Sequence, residues 1–295
     1  MDARIKVLRP NTNLYLVGDA HIGNACFHRP AFEKTIDTIN EDPLARVIFM
    51  GDMMECIRPH DPRFDAELID PDRSIVSQQE DYLEKILMPI RSKMLGMHIG
   101  NHEHKIAREG LNPITRIVKT LNLMIDVDNA KGASIEHITD LSTIANVYYK
   151  IEEATKSGRK RKKAGKVYKG FYGLTQHKAE GGGGGTIGSK VNQSLKSGVS
   201  NVADFHAAGH VHTLASTIKK IIYNDHGILK EKMVRNIVTG HYLDTHRIGK
   251  TGYGEKAGYS PEFVGYARML IRDGAILDNP NGGVELIRFW ADGKF

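Results

Sequence analysis

The chain has 295 residues, 40% hydrophobic and 26% charged, with a formal net charge of +6 and two cysteines. A chain this long buries roughly 75% of its unfolded surface and needs no disulfide staples. Two cysteines outside any C-x-x-C pair exclude a disulfide scaffold, and no apolar run approaches the ~20 residues that span a bilayer. The opening Met1-Asp2-Ala3-Arg4-Ile5-Lys6-Val7 lacks the apolar stretch of a signal peptide, so a reducing, cytoplasmic setting is expected.

In chain order, Leu14-Tyr15-Leu16-Val17 reads as a buried strand that stops at Gly18-Asp19. Pro30, Phe32, Ile36 and Ile39 have the spacing of a helix with proline in its first turn. Val47-Ile48-Phe49-Met50 is a second strand, again stopping at Gly-Asp, here Gly51-Asp52. Ser77-Gln78-Gln79-Glu80 has capping-box spacing, and Tyr82, Leu83, Ile86, Leu87 and Ile90 follow on one face, with an end or kink expected near Pro89. Residues 94–99 read as a third strand, stopping at Gly100-Asn101-His102-Glu103, and Asn112-Pro113 opens a helix with Ile114, Ile117, Val118 and Leu121 on one face. Strands alternating with helices give an α/β class, read as one domain over residues 1–295 with an irregular basic insertion at about 126–170. Beyond it, a strand leads into His177 and another into Gly209-His210-Val211-His212, followed by short strands separated by Gly-rich turns.

The charge is concentrated. Lys156, Arg159, Lys160, Arg161, Lys162, Lys163, Lys166 and Lys169 lie together with no acid among them, leaving the rest of the chain slightly acidic. Such a run either attracts a polyanion by counterion release or is a solvated loop. No aromatic side chain interrupts its densest part, so base stacking is not indicated there.

Five polar clusters each follow a strand-like run: Asp19-Ala20-His21, Gly51-Asp52-Met53-Met54-Glu55, Gly100-Asn101-His102-Glu103, His177, and Gly209-His210-Val211-His212. Open α/β sheets bind ligands beyond the carboxyl ends of their strands, where these clusters would converge. Aspartate, asparagine and histidine donors without thiolate suit manganese, iron, nickel or zinc. Each cluster alone is a weak signal; the conjunction, in this order and each at a strand exit, is a strong one.

These motifs resemble the signature of the calcineurin-like metallophosphoesterases: D-x-H, G-D-x-x-[DE], G-N-H-[DE], a lone histidine and G-H-x-H, matched over positions 19–212. The resemblance implies a four-layer α/β/β/α sandwich of two mixed sheets. It implies two divalent ions, most simply Mn2+ with Fe, Zn or Ni as alternatives. Asp19, His21, Asp52 and His212 would hold the first, and Asp52, Asn101, His177 and His210 the second. His102 would be the general acid, and Glu55 would orient it; Glu103 is the alternative orienting or structural carboxylate. The implied chemistry is phosphoester hydrolysis by a hydroxide bridging the two ions, with Asn101 helping to stabilise the equatorial oxygens.

Membership in that superfamily does not choose the substrate. Gly183, within the five-glycine run 181–185, could approach a phosphate closely, and Ser189 could cap a helix carrying Val191 and Leu195. Arg58 lies just beyond the second motif, where a phosphate contact is feasible; Cys56 stands where phosphoprotein phosphatases of this type have arginine. Lys160, Arg161, Lys162 and Lys163 precede the strand leading to His177 and could receive a nucleic-acid backbone. The first reading is a phosphodiesterase or nuclease acting on nucleic acid or nucleotides. The alternatives are a phosphomonoesterase on a small nucleotide or metabolite, and a non-catalytic scaffold. No membrane partner is expected, and a dimer is compatible with the sequence. A looser resemblance of the glycine run and of residues 253–271 to small phage and prophage phosphoesterases suggests a bacterial setting. Cys26 and Cys56 read as small reduced fillers.

Overall fold

The computed structural model describes residues 3–142, 144–151, 170–177, 203–244, 261–273, 275–277 and 283–289. Its elements in order are β1 (Ala3–Leu8), β2 (Thr12–Val17), α1 (Arg29–Glu41), β3 (Ala45–Phe49), α2 (Val76–Leu87), β4 (Met94–His98), α3 (Asn101–Ala107), α4 (Pro113–Ala130), β5 (Thr139–Leu141) and β6 (Ile144–Ile151). They are followed by β7 (Gly170–Gln176), β8 (Phe205–Ala208), β9 (Leu214–Asp225), β10 (Ile228–Thr239), β11 (Val264–Arg272), β12 (Ala275–Ile276) and β13 (Val284–Phe289). The class is mixed α/β with two sheets. One has six strands in the order β1-β6-β7-β8-β10-β9; the other has seven, ordered β12-β11-β2-β3-β4-β5 with β13 beside β11.

The strand runs are apolar throughout because both of their faces are covered. Tyr15, Val17, Val47, Phe49 and Met97 join a core with Phe32, Ile36 and Ile39 of α1, Leu83 and Leu87 of α2 and Ile114, Ile117 and Leu121 of α4. Their neighbours Leu14, Leu16, Ile48, Met50 and Leu95 belong to a second core with Phe205, Ala207 and Ile237 of the other sheet. Period-two alternation thus puts one set of side chains under the helices and the other between the sheets. A helix after Ser189, which would supply the fourth layer, lies outside the described residues. Within them the layers are helices, sheet and sheet.

Two local expectations change. The helix expected to be capped at Ser77 begins earlier, at Val76, and the Gln78 side chain bonds back to the Ile75 N–H at 3.3 Å. The segment after 126, expected to be irregular, continues α4 to Ala130 and then forms β5 and β6. Asparagine side chains imitate strand pairing there. Asn122 accepts from the Ile138 N–H at 2.8 Å and donates to its carbonyl at 3.0 Å, and Asn129 does the same for Ile135 at 2.8 and 3.0 Å. Paired contacts of this kind satisfy an otherwise open backbone, which turn-prone residues such as Gly132 and Ser134 conceal in the sequence.

Parallel pairing decides where the motifs meet. β2, β3 and β4 run parallel in one sheet, and β7, β8 and β10 run parallel in the other. Their carboxyl ends carry Asp19, Asp52, Asn101, His177 and His210. His98 joins the sheets. Its Nδ1–H donates to the Ser142 carbonyl at 2.5 Å, and its Nε2 accepts from the Thr175 hydroxyl at 2.8 Å. Burial lowers this histidine to about 4, so it is a neutral core residue.

Candidate metal centre

Backbone geometry at the strand exits is unusual. Asp19 (φ 52°), His21 (52°), Asp52 (47°), His210 (79°) and His212 (49°) all occupy the left-handed region. Positive φ in a non-glycine residue costs on the order of 1–3 kcal/mol and clusters at functional sites. Five of the seven expected ligands carry it. The turns are locked by crossing main-chain bonds, from Asp19 N–H to the Gly51 carbonyl at 2.9 Å and from His21 N–H to the Asp52 carbonyl at 3.0 Å.

The motif glycines admit this crowding. A Cβ on Gly100 would lie 2.1 Å from both N and Oδ1 of Asp52. One on Gly209 would lie 2.9 Å from Asp19 Oδ2 and from His177 Nδ1. The backbone of one motif therefore rests on the side chains of another. His102 N–H donates to Asp52 Oδ1 at 2.9 Å, and His210 N–H to both Asp19 oxygens at 3.0 Å.

Three overlapping groups of donor atoms result: Asp19, His21 and His212; His21, Asp52 and His102; and Asp52, His177 and His210. Within each group the donor atoms lie no more than 4.8 Å apart. Asn101 Oδ1 lies 3.3 Å from His177 Nε2 and adds to the third group.

The imidazole orientations fit divalent ions. His177 Nδ1–H donates to the Met50 carbonyl at 2.7 Å, which turns Nε2 toward Asp52 Oδ2 at 3.0 Å. His21 Nδ1–H donates to Glu55 Oε2 at 2.9 Å, and burial keeps this ring from protonating. Its Nε2 lone pair then faces His212 Nε2 at 3.0 Å, while Asp19 Oδ1 lies 3.3 Å from the same His212 atom. Lone pairs aimed at one another repel unless a cation lies between them, and an outer carboxylate or carbonyl on Nδ1 is the usual support for a ligating histidine.

Without a cation His177 favours its charged form, whereas burial disfavours that form in His21 and His210. Against the desolvation of burial, the Asp52 and Asp19 carboxylates raise His177 to about 10. Burial alone would raise Asp52; His177 and His102 outweigh it and hold its carboxyl well below the usual range. Glu103 goes the other way, to about 7, through burial and then the Asp52 charge.

Glu55 and Glu103 differ from expectation in what they hold. The Glu55 carboxylate binds His21 and stands 3.9 Å from His102 Nδ1; it is the Glu55 main-chain carbonyl that accepts from His102 Nδ1–H, at 2.6 Å. Glu103 accepts from the Met54 and Gly100 N–H groups, both at 2.9 Å, and so braces the second motif against the third. Arg58 pairs with Glu109 at the surface. Gly183, Lys160, Arg161, Lys162 and Lys163 lie outside the described residues.

Sequence reasoning missed two neighbours of the site. Arg63 Nη1 lies 2.9 Å from His102 Nε2, and its only local signal is the short Asp61-Pro62-Arg63 spacing. His241 is buried at the exit of β10 and stacks on His212 with ring centroids 5.3 Å apart. Gly240-His241 repeats the glycine–histidine ending of Gly209-His210, a signal that was present in the sequence.

No protein-family model matches the chain, and no curated protein matches it. Similar solved structures include a conserved uncharacterised protein of Streptococcus pneumoniae TIGR4 described as a predicted phosphoesterase, 10% identical, covering 95% of this chain and 98% of its own, at a TM-score of 0.32. Chaetomium thermophilum Vps29 is 10% identical, covering 94% of this chain and 93% of its own, at 0.36. A Vps29 single mutant from Entamoeba histolytica is 10% identical, covering 94% and 98%, at 0.35. In motif order, paired mixed sheets and convergence of the motifs at one end of the strands, the chain resembles the calcineurin-like metallophosphoesterases.

Proposed function

We propose that the chain is a binuclear metal-dependent phosphoester hydrolase, acting as a phosphodiesterase on nucleic acid or nucleotides. The observation that carries the hydrolase reading is the juxtaposition of Asp19, His21 and His212 with Asp52, His177 and His210, beside His102. Two divalent ions held there would supply Lewis acidity toward a phosphoryl oxygen and bring the pKa of bound water near neutrality.

The protein's own groups do the rest. The Glu55 carboxylate and the Met50 carbonyl fix the rings of His21 and His177 through their Nδ1–H groups. His102 Nδ1–H donates to the Glu55 carbonyl, so Nε2, which here accepts from Arg63 Nη1–H at 2.9 Å, is the atom that would take up a proton and pass it to the leaving oxygen once the guanidinium turns to the substrate. Asn101, whose Oδ1 lies 3.3 Å from His177 Nε2, would donate through its amide nitrogen to a phosphoryl oxygen. The diester preference is supported by the basic run of the sequence and by the Arg63 guanidinium beside His102, held with Lys105 on Asp61.

The test is manganese-dependent hydrolysis of bis-p-nitrophenyl phosphate, p-nitrophenyl phosphate and labelled single- and double-stranded DNA, with His102→Ala as control. Cleavage of the diester and of DNA, lost in the control, is expected. Turnover of the monoester alone would make the enzyme a phosphatase. A metal-loaded protein inert toward all four would make it a binding scaffold.

A further inference from the structure

We infer that Arg63 is an anion clamp on the leaving-group side of the site, selecting substrates whose leaving group carries a phosphate of its own. Two sources share that chemistry, the next phosphodiester of a nucleic-acid strand and the terminal phosphate of a short nucleotide. The inference rests on the hydrolase reading only in taking His102 as the proton donor to the leaving oxygen.

The guanidinium is built into its place. Nε and Nη2 donate to the two oxygens of Asp61, at 3.2 and 3.0 Å, and the Arg63 N–H donates to Asp61 Oδ1 at 3.0 Å. Lys105 of α3 adds a bond to Asp61 Oδ2 at 2.9 Å. Asp61 is largely buried, while the Arg63 side chain keeps 30% of its surface open. One carboxylate thus serves two cations, and the Glu55 and Asp52 carboxylates add their field at the guanidinium. Arginine in a planar, pre-oriented fork is the side chain best suited to phosphate oxygens.

Its position defines the side. Nη1 is 2.9 Å from His102 Nε2, the proton-delivering atom, whereas His102 Nδ1 is turned away to the Glu55 carbonyl. His102 shares a donor group with His21 and Asp52, while Asp19, His212, His177 and His210 fall in the other two groups. An oxygen receiving the His102 proton therefore lies within reach of Arg63, and so does an anion attached to it.

Wild-type and Arg63→Gln proteins, loaded with manganese, are compared on the dinucleotide TpT and on TpT bearing a terminal phosphate at the 3′ or the 5′ end. Wild type is expected to prefer one phosphorylated form over TpT by about tenfold or more in kcat/KM, the worth of a charge-assisted contact. Arg63→Gln is expected to lower that form about tenfold more than TpT, and Arg63→Lys to recover part of the difference. The same comparison by equilibrium binding to His102→Ala and His102→Ala/Arg63→Gln proteins needs no turnover. If no phosphoester is hydrolysed but the Arg63-dependent binding preference persists, the hydrolase reading alone fails. An equal loss on all three ligands in Arg63→Gln, or no wild-type preference in either assay, overturns the clamp. Longer strands and free nucleotide diphosphates as competitors separate the two sources.

Discussion

Glu55 holds His102 with its main-chain carbonyl, at 2.6 Å from Nδ1, and leaves its carboxylate to His21, 2.9 Å away. One residue therefore orients a metal ligand with its side chain and the general acid with its backbone. Substitution can reach only the first of these.

Glu55→Ala is expected to weaken manganese binding by about 10- to 100-fold, the usual cost of losing an outer partner of a ligating histidine. Glu55→Gln, which keeps an oxygen acceptor for His21, is expected to lose much less. Calorimetric metal titration of both variants checks this. An affinity equal to wild type in Glu55→Ala would mean that His21 is not held by this contact.

Gly100→Ala places a methyl group 2.1 Å from Asp52 N and Oδ1. Backbone atoms cannot rotate away, so the loop must move, at a cost of about 1–3 kcal/mol or more. A lower Tm together with loss of manganese binding is expected, because Asp52 belongs to two of the three donor groups. Unchanged Tm and affinity would show that the third motif does not rest on the second.

The pH dependence of the chelator-treated protein follows from His177, raised from 6.5 to about 10 by Asp52 and Asp19 against the opposing desolvation of burial. A group whose folded pKa lies above its unfolded one stabilises the fold fully below the unfolded value and stops doing so as pH rises through the folded value. Metal-free Tm is therefore expected to fall between pH 6.5 and about 10. Manganese should displace the proton from His177 and flatten the decline over that window. Parallel profiles with and without manganese would contradict a shared site for proton and metal.

Thr175→Val keeps the shape of β7 but removes the hydroxyl that donates to His98 Nε2 at 2.8 Å. A buried acceptor left unsatisfied costs about 1–3 kcal/mol. A lower urea midpoint with unchanged manganese affinity is expected, because neither His98 nor Thr175 belongs to a donor group. A change in metal affinity without loss of stability would reverse that assignment.

The sequence alone determined the strands at 14–17 and 47–50, the Pro113 helix and all five polar clusters at strand exits, because buried strands read as continuous apolar runs and the motif residues lie close together in the chain. The donor types, oxygen and imidazole without thiolate, were legible for the same reason. Other features depend on contacts between distant segments. β5 and β6 follow Ile135 and Ile138, whose backbones pair with the side chains of Asn129 and Asn122, contacts six and sixteen residues apart that no periodicity announces. The orienting atom of His102 is a carbonyl, and a carbonyl belongs to every residue, so sequence cannot single it out. Arg63 is set beside His102 by a loop closing over 39 positions, stabilised at Asp61 and Lys105. Local chemistry thus named the ligands, and long-range packing chose what stands next to them.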